Sequence, residues 1–183
     1  MNAGADQGRT GVVALSGNPR AGSRTLLVAQ TLAGALAERT SVGPGAVLDL
    51  ADVAPQLFAA SAPEADRYAE VLAGAAVAVV ATPVYKASYT GLLKAFLDRY
   101  PGGALRGVLA VPVVVSASPA HSFVAEHLLR PLLVELGASV PTRPFAVTEK
   151  QLGDLDALAA AWADEAAPVV SALLAAQPVG ARA

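Results

Sequence analysis

Short apolar runs alternate along the chain with longer segments in which apolar residues recur every three or four positions. The runs have the length of β-strands and lie at 11–16, 46–50, 76–81, 108–115 and about 145–147. The helical spacing occurs near 24–37, 64–74, 88–100, 120–136 and from about 154 onward. This pattern predicts five strands that alternate with five helices.

Strands that alternate with helices predict an α/β fold with a mostly parallel sheet. The predicted strands are apolar throughout, as expected when helices cover both faces. Pro112 fits poorly inside the fourth strand, and Pro168 is expected to kink the last helix. Ser23 and Ser88 stand where N-caps of the first and third helices are expected. Ligands bind such sheets at the carboxyl ends of the strands, so the residues after each strand are the functional candidates.

The chain has 183 residues, which predicts one domain, over 10–176, with flexible tails at 1–9 and 177–183. Its 13 basic and 15 acidic residues give a net charge of −2, which argues against a nucleic-acid binder. The absence of cysteine excludes disulfides, thiolate metal sites and cysteine nucleophiles. His121 and His127 are six residues apart on a predicted helix, so they do not share a face and no metal site is expected.

The most apolar run, 108–115, is shorter than a membrane span, so no membrane association is expected. The first ten residues lack the apolar segment of a secretion signal. These features predict a cytoplasmic protein.

The loop after the first strand reads Ser-Gly-Asn-Pro-Arg-Ala-Gly-Ser-Arg-Thr over 16–25 and leads directly into a helix. A polar loop at a helix N-terminus favours an anion. Gly17 and Gly22 have the spacing of a P-loop, but Ser23 stands where the phosphate-binding lysine must be, which excludes a nucleoside triphosphate site. The loop also lacks a dinucleotide-binding glycine pattern. It is either a cradle for one phosphate or an ordinary turn with a serine cap.

The candidate hydrogen-bond donors to a phosphate in this loop are three hydroxyl groups and one of two arginines: Ser16, Ser23 and Thr25, with Arg20 or Arg24.

The loop after the third strand reads Thr-Pro-Val-Tyr-Lys-Ala-Ser-Tyr-Thr-Gly over 82–91. Pro83 there restricts the backbone, and Tyr85 offers an aromatic face for stacking. Gly91 is expected to allow the following helix to pack closely on the sheet.

Together, residues 17–25 and 82–98 resemble the NADPH-dependent FMN reductases of the flavodoxin-like superfamily, particularly those that supply alkanesulfonate monooxygenases. The resemblance extends through Ala120-His121 and 129–133 and covers about 10–150. It implies a flavodoxin-like three-layer sandwich with a five-stranded parallel sheet. It also implies two contact regions, in which the phosphate would bind Ser16, Asn18, Arg20, Ser23, Arg24 and Thr25, and the isoalloxazine ring would lie against Pro83, Val84, Tyr85, Lys86 and Ser88.

The third contact loop of this family typically contains Thr-Gly-Gly, whereas this chain has Ser116, Ala117 and Ser118. The added Cβ atoms disfavour positive φ, so flavin affinity or cofactor preference is expected to differ.

The resemblance implies a reductase that transfers hydride from NADPH, or NADH, to FMN and delivers reduced flavin to a partner flavin-dependent monooxygenase. The chemistry belongs to the flavin, so no acid–base residue is assigned. Two alternatives remain: a quinone or azo reductase with tightly bound FMN, and a non-enzymatic flavodoxin-like electron carrier. The net charge of −2 argues against the carrier, because such proteins are usually far more acidic.

Pro131 lies inside the predicted helix at 120–136, where it conflicts with the carbonyl of His127. The resembling reductases have an inserted tyrosine or histidine here, which forms a π-helix at a subunit interface. His127 occupies the matching position, so we expect a π-bulge at about 124–131 and a homodimer or homotetramer. The alternative is a simple proline kink with His127 in solvent.

Overall fold

A computed structural model describes residues 9–176 and contains one five-stranded sheet in which every neighbouring pair is parallel. The strands are β1 (Thr10–Ser16), β2 (Pro44–Asp49), β3 (Ala75–Pro83), β4 (Leu109–Ser116) and β5 (Phe145–Thr148). Their order in the sheet is β2-β1-β3-β4-β5. This is the flavodoxin-like order, whose ligand site lies where the chain changes direction between β1 and β3. The predicted fold class is confirmed.

Within residues 9–176, five α-helices cover the sheet: α1 (Arg24–Arg39), α2 (Pro63–Ala73), α3 (Gly91–Leu97), α4 (Arg130–Glu135) and α5 (Leu155–Ala176). The cores on the two faces are separate, because alternate residues of the strands point to opposite sides. Val13 and Leu15 of β1 pack with Phe96 under α2, α3 and α4. Val12 and Ala14 pack with Trp162 under α1 and α5.

Pro112 is accommodated because β5 is short. Within β4, Pro112 pairs with Val80 of β3, whereas β5 begins only opposite Val113. The Ala110 N–H donates to Ser139 O on the β5 side, and Pro112 faces the same side because strands repeat every two residues. The missing N–H therefore removes no ladder hydrogen bond to β5.

Two local expectations are wrong. The N-cap of α3 is Thr90 and not Ser88, since the Thr90 hydroxyl accepts a hydrogen bond from Leu93 N–H. Gly91 does not allow close packing, because a Cβ built there would meet no atom within 4 Å. Ser88 instead forms a short bridge with Tyr85.

The segment at 120–136 is divided into a 3-10 turn (Pro119–His121), a π-helix (Ala125–Leu129) and α4. The Arg130 N–H donates to Ala125 O, five residues back, which is the hydrogen bond that defines a π-helix. The expected π-bulge is therefore confirmed, and it immediately precedes Pro131, the second residue of α4.

The N-terminal boundary of the domain lies at least one residue earlier than predicted. Arg9, assigned to the N-terminal tail, donates hydrogen bonds to Ala75 O at 3.0 Å and Arg106 O at 2.7 Å. The rest of the proposed tails, 1–8 and 177–183, lies outside the described residues.

Among residues 9–176, one helical segment, Glu149–Ala176, is long and apolar enough by length and composition to cross a membrane. A core helix passes the same test. Leu155, Ala159 and Trp162 of this segment are buried against the sheet and α1.

Candidate functional site

The loop between β1 and α1 is held at its first residue, Gly17. Its N–H donates to Ala81 O at 2.7 Å, and its carbonyl accepts a 2.5 Å hydrogen bond from the Thr90 hydroxyl. A Cβ on Gly17 would lie 2.7 Å from the Leu93 Cβ, so only glycine fits this close approach of the loop to α3. The carboxyl ends of β1 and β3 are thereby joined.

Asn18 determines the shape of the loop from inside. Its side-chain N–H donates to the Thr25 hydroxyl at 3.1 Å, and its side-chain oxygen accepts from Arg20 N–H at 3.0 Å. The Ser16 hydroxyl accepts from Asn18 N–H at 3.4 Å. Asn18 thus connects the two ends of the loop, and Ser16 lies buried behind it.

The N-terminus of α1 faces the inside of the loop. Ser23 is the N-cap and accepts from Leu26 N–H at 3.2 Å. Gly22 has a φ of +62°, and its N–H donates to Asp49 at the end of β2 at 3.1 Å. Because the first N–H groups of a helix lack partners within it, this end of the loop is suited to bind an anion.

These elements border an open cavity of about 410 Å³. Most of its lining comes from the polar loop between β1 and α1, and Pro83, Tyr85 and Val115 add apolar surface. The lining residues are Asn18, Arg20, Ala21, Gly22, Ser23, Arg24, Thr25, Pro83, Tyr85, Val115 and Glu149. The volume lies within the range of small-molecule sites.

The two arginines of the cavity are not equivalent. The Arg24 Nη2 lies 2.8 Å from the Glu149 Oε1, so its charge is paired. Within the described part of the chain, the Arg20 guanidinium has no such partner, and its side chain lies at the cavity wall. Arg20 is therefore the more available cation for an incoming anion.

The β3–α3 loop forms a tight turn beside the cavity. Tyr85 and Ser88 exchange backbone hydrogen bonds of 2.9 and 3.1 Å around Lys86 and Ala87. These two central residues have φ of 53° and 61° and are the described residues other than glycine with positive φ. Such turns normally contain glycine or asparagine, so this one stores backbone strain.

The β4 loop, where the chain differs from the family pattern, is bonded to itself. The Ser116 hydroxyl donates to Ser118 O at 2.8 Å, and the Ser118 hydroxyl accepts from Ala120 N–H. Neither Ala117 nor Ser118 has a positive φ, and Val115 is the residue of this region that reaches the cavity.

The structure thus places seven of the predicted contact residues at the cavity: Asn18, Arg20, Ser23, Arg24, Thr25, Pro83 and Tyr85. The other seven do not line it: Ser16, Val84, Lys86, Ser88, Ser116, Ala117 and Ser118.

Sequence reasoning missed the supporting residues Gly17, Asp49 and Thr90, and four of the lining residues were not among the predicted contacts: Ala21, Gly22, Val115 and Glu149. Asp49 and Glu149 lie at or just after strand ends, so the strand-end rule could have identified both.

Comparisons with known proteins agree with this geometry. The family model described as NADPH-dependent FMN reductase matches residues 10–152. The NADH-dependent FMN reductase SfnE of Pseudomonas putida is 33% identical over 158 residues, covering 83% of this chain and 84% of that protein. An FMN reductase (NADPH) of Pseudomonas aeruginosa is 34% identical over 129 residues, covering 66% and 67%.

Solved structures show the same likeness over nearly the full length. The apo form of an NADH:FMN oxidoreductase, EMOB, superposes with a TM-score of 0.80 at 30% identity, covering 92% of each chain. An archaeal flavodoxin, at 14% identity and a TM-score of 0.55, shares the fold alone. The chain therefore belongs to the NADPH-dependent FMN reductase family of oxidoreductases, which use FMN together with NAD(P)H.

Proposed function

We propose that the cavity binds FMN with its phosphate at the loop over 17–25 and its ring beside Pro83 and Tyr85. The observation that supports this most directly is that the α1 N-terminus, Ser23 and Arg20 line the same cavity, and that Arg20 has no ion-pair partner among residues 9–176. Pro83, Tyr85 and Val115 supply the apolar wall that a flat ring requires. The residues present therefore fit the cofactor that the family uses.

When bound, the flavin supplies the hydride acceptor, so the chain needs to bind and orient two ligands and not to transfer protons itself. Tyr85 is 44% exposed, and its ring is available as a platform at the cavity wall. The bonds of Gly17 and Asn18 hold the phosphate loop before a ligand arrives, which lowers the entropic cost of binding.

We further propose that FMN leaves after reduction and reaches a partner flavin-dependent monooxygenase. The open cavity and the pairing of Arg24 with Glu149 support exchange over permanent retention. A quinone or azo reductase with tightly bound FMN is the competing function. The purified protein should be colourless under the first proposal and yellow under the second.

The decisive experiment is steady-state oxidation of NADPH and NADH with FMN, FAD or riboflavin as acceptor, together with flavin binding. A charge-assisted hydrogen bond contributes roughly 1.5–3 kcal/mol, so Arg20→Ala should weaken FMN binding by about 10- to 100-fold and leave riboflavin unchanged. Arg67→Ala is the matched control, because Arg67 pairs with Glu64 and does not line the cavity. Equal losses for FMN and riboflavin would contradict the phosphate assignment.

The π-helix supports a proposal about assembly. His127 lies within it and is exposed, and the exposed Phe123 and Val134 lie before and after it along the chain. We propose that this surface joins protomers of a homodimer or homotetramer. A cytoplasmic location is also proposed, since the reaction consumes NAD(P)H, and we propose neither a nucleic-acid nor a membrane partner.

A further inference from the structure

A carboxylate lines the cavity in which the phosphate of FMN is proposed to bind. Glu149 lines the same cavity as the α1 N-terminus, and its Oε1 is 2.8 Å from the Arg24 Nη2. The two residues come from distant parts of the chain, one at the start of α1 and the other directly after β5. An acidic side chain here opposes anion binding in two ways, because it repels a phosphate and occupies a nearby cation.

The position of Glu149 is fixed by its neighbours. Thr148 and Gln151 form a capping box at the start of the 3-10 helix Glu149–Asp154. In it, the Gln151 side-chain oxygen accepts from Thr148 N–H at 2.9 Å. The backbone that carries the carboxylate is therefore held in place.

The Arg24–Glu149 pair is also easily opened. Their side chains are 59% and 43% exposed, and exposed ion pairs of this kind contribute little stability. A phosphate monoester carries a charge of about −1.5 to −2 at neutral pH, which exceeds that of one carboxylate. Arg24 can therefore exchange Glu149 for a phosphate and return when the phosphate leaves.

We propose that Glu149 is a positioning residue that competes with the FMN phosphate for Arg24 and so keeps flavin exchange fast. This inference rests on the proposed binding of FMN in the cavity. Arg20 does not pair with Glu149, so it can attract the phosphate directly. Arg24 is available to the phosphate only after it leaves Glu149. Glu149 thereby acts on the phosphate end of the flavin and leaves the ring unaffected.

The test compares FMN and riboflavin, which differ by the phosphate, in Glu149→Gln. We expect this variant to bind FMN about 10-fold more tightly, as one charge–charge contact near a protein surface allows, and to bind riboflavin unchanged. FMN release should slow and the KM for FMN should fall. In an Arg24→Ala background, Glu149→Gln should tighten FMN by clearly less, under about 3-fold, because only the screened repulsion of an exposed carboxylate remains and the arginine for which it competes is absent.

Glu165→Gln is the matched control. Glu165 pairs with Arg143 at 2.8 Å on α5 and does not line the cavity, so neither flavin should respond. Unchanged or weaker FMN binding in Glu149→Gln would overturn the inference. If Glu149→Gln raised FMN affinity equally with and without Arg24, the inference would also be overturned, because charge repulsion alone would then explain the effect.

The wild-type protein separates failure of the inference from failure of the proposed function. If it prefers FMN to riboflavin and Glu149→Gln has no effect, the inference fails and the phosphate site stands. If wild type, Arg20→Ala and Arg24→Ala all bind the two flavins equally well, the phosphate site itself is wrong.

Discussion

The Thr90 hydroxyl donates a 2.5 Å hydrogen bond to the carbonyl of Gly17 and accepts another from Leu93 N–H at 3.1 Å. One buried side chain therefore caps α3 and holds the first residue of the loop between β1 and α1. The Thr90 N–H in turn donates to the Thr82 hydroxyl at 3.1 Å. The loops after β1 and β3 thus form one hydrogen-bonded unit, and a change at their contact should affect stability and FMN binding together.

Gly17→Ala tests this contact. The new Cβ would lie 2.7 Å from the Leu93 Cβ, so we expect a loss of about 1–3 kcal/mol in the free energy of unfolding from overpacking. The displaced loop should also weaken FMN binding. Denaturant unfolding and flavin titration measure the two effects.

Gly91→Ala is the control for Gly17→Ala. A Cβ at Gly91 meets no atom within 4 Å, and alanine favours helix over glycine, so this variant should be neutral or stabilising by up to about 1 kcal/mol. Similar destabilisation by both substitutions would show that the Gly17–Leu93 contact is not the cause.

A glycine substitution should relieve the backbone strain in the turn at Lys86 and Ala87. Alanine in the left-handed region costs about 1–2 kcal/mol, whereas glycine adopts it freely and loses some entropy on folding. Ala87→Gly, at a φ of 61°, should therefore raise the free energy of unfolding by about 0.5–1 kcal/mol.

Ala117→Gly provides a comparison of opposite sign. Ala117 is also exposed in a loop but does not have a positive φ, so glycine should lower stability there by about 0.4–1 kcal/mol. The same sign for both variants in denaturant unfolding would mean that the turn is not strained.

Deletion of His127 should convert the π-helix into a regular helix. The bond from Arg130 N–H to Ala125 O would then span four residues in place of five. We expect the deletion variant to retain FMN after purification, to oxidise NADPH poorly with free flavin, and to change oligomeric state by size-exclusion chromatography.

His127→Ala separates the extra residue from the side chain, because it keeps the chain length and should keep the π-helix. Its FMN retention should therefore match that of the wild type. A deletion variant that is colourless, fully active and unchanged in oligomeric state would refute the role of the π-helix.

Ionisation of Tyr100 should destabilise the folded protein at alkaline pH. Burial raises the pKa of its phenol above the ordinary value of 10, and its hydroxyl donates to Ala69 O at 2.7 Å. Because the folded-state pKa is raised, this contribution is complete below pH 10 and is lost as the pH rises above 10 towards the folded-state pKa. Above pH 10, the free energy of unfolding of Tyr100→Phe should fall less steeply with pH than that of the wild type. Denaturant unfolding at several pH values measures this difference.

Local pattern determined the order and type of the elements. The apolar runs that became β1, β3 and β4 are buried on both faces, and such strands are readable because every position must be apolar. Ser23 was recognisable as a cap because capping is a contact within four residues. Pro131 indicated an irregular helix for a similarly local reason.

Only the tertiary structure decided which loop residues meet. Arg24 and Glu149 are 125 residues apart in the chain, and Thr90 and Gly17 are 73 apart. Their proximity depends on the order of the strands and on the angles at which the loops leave them, neither of which a local pattern contains. The sequence therefore predicts Arg20 and Arg24 as candidate phosphate-binding residues, but only the tertiary structure shows that Arg24 is already paired with a carboxylate.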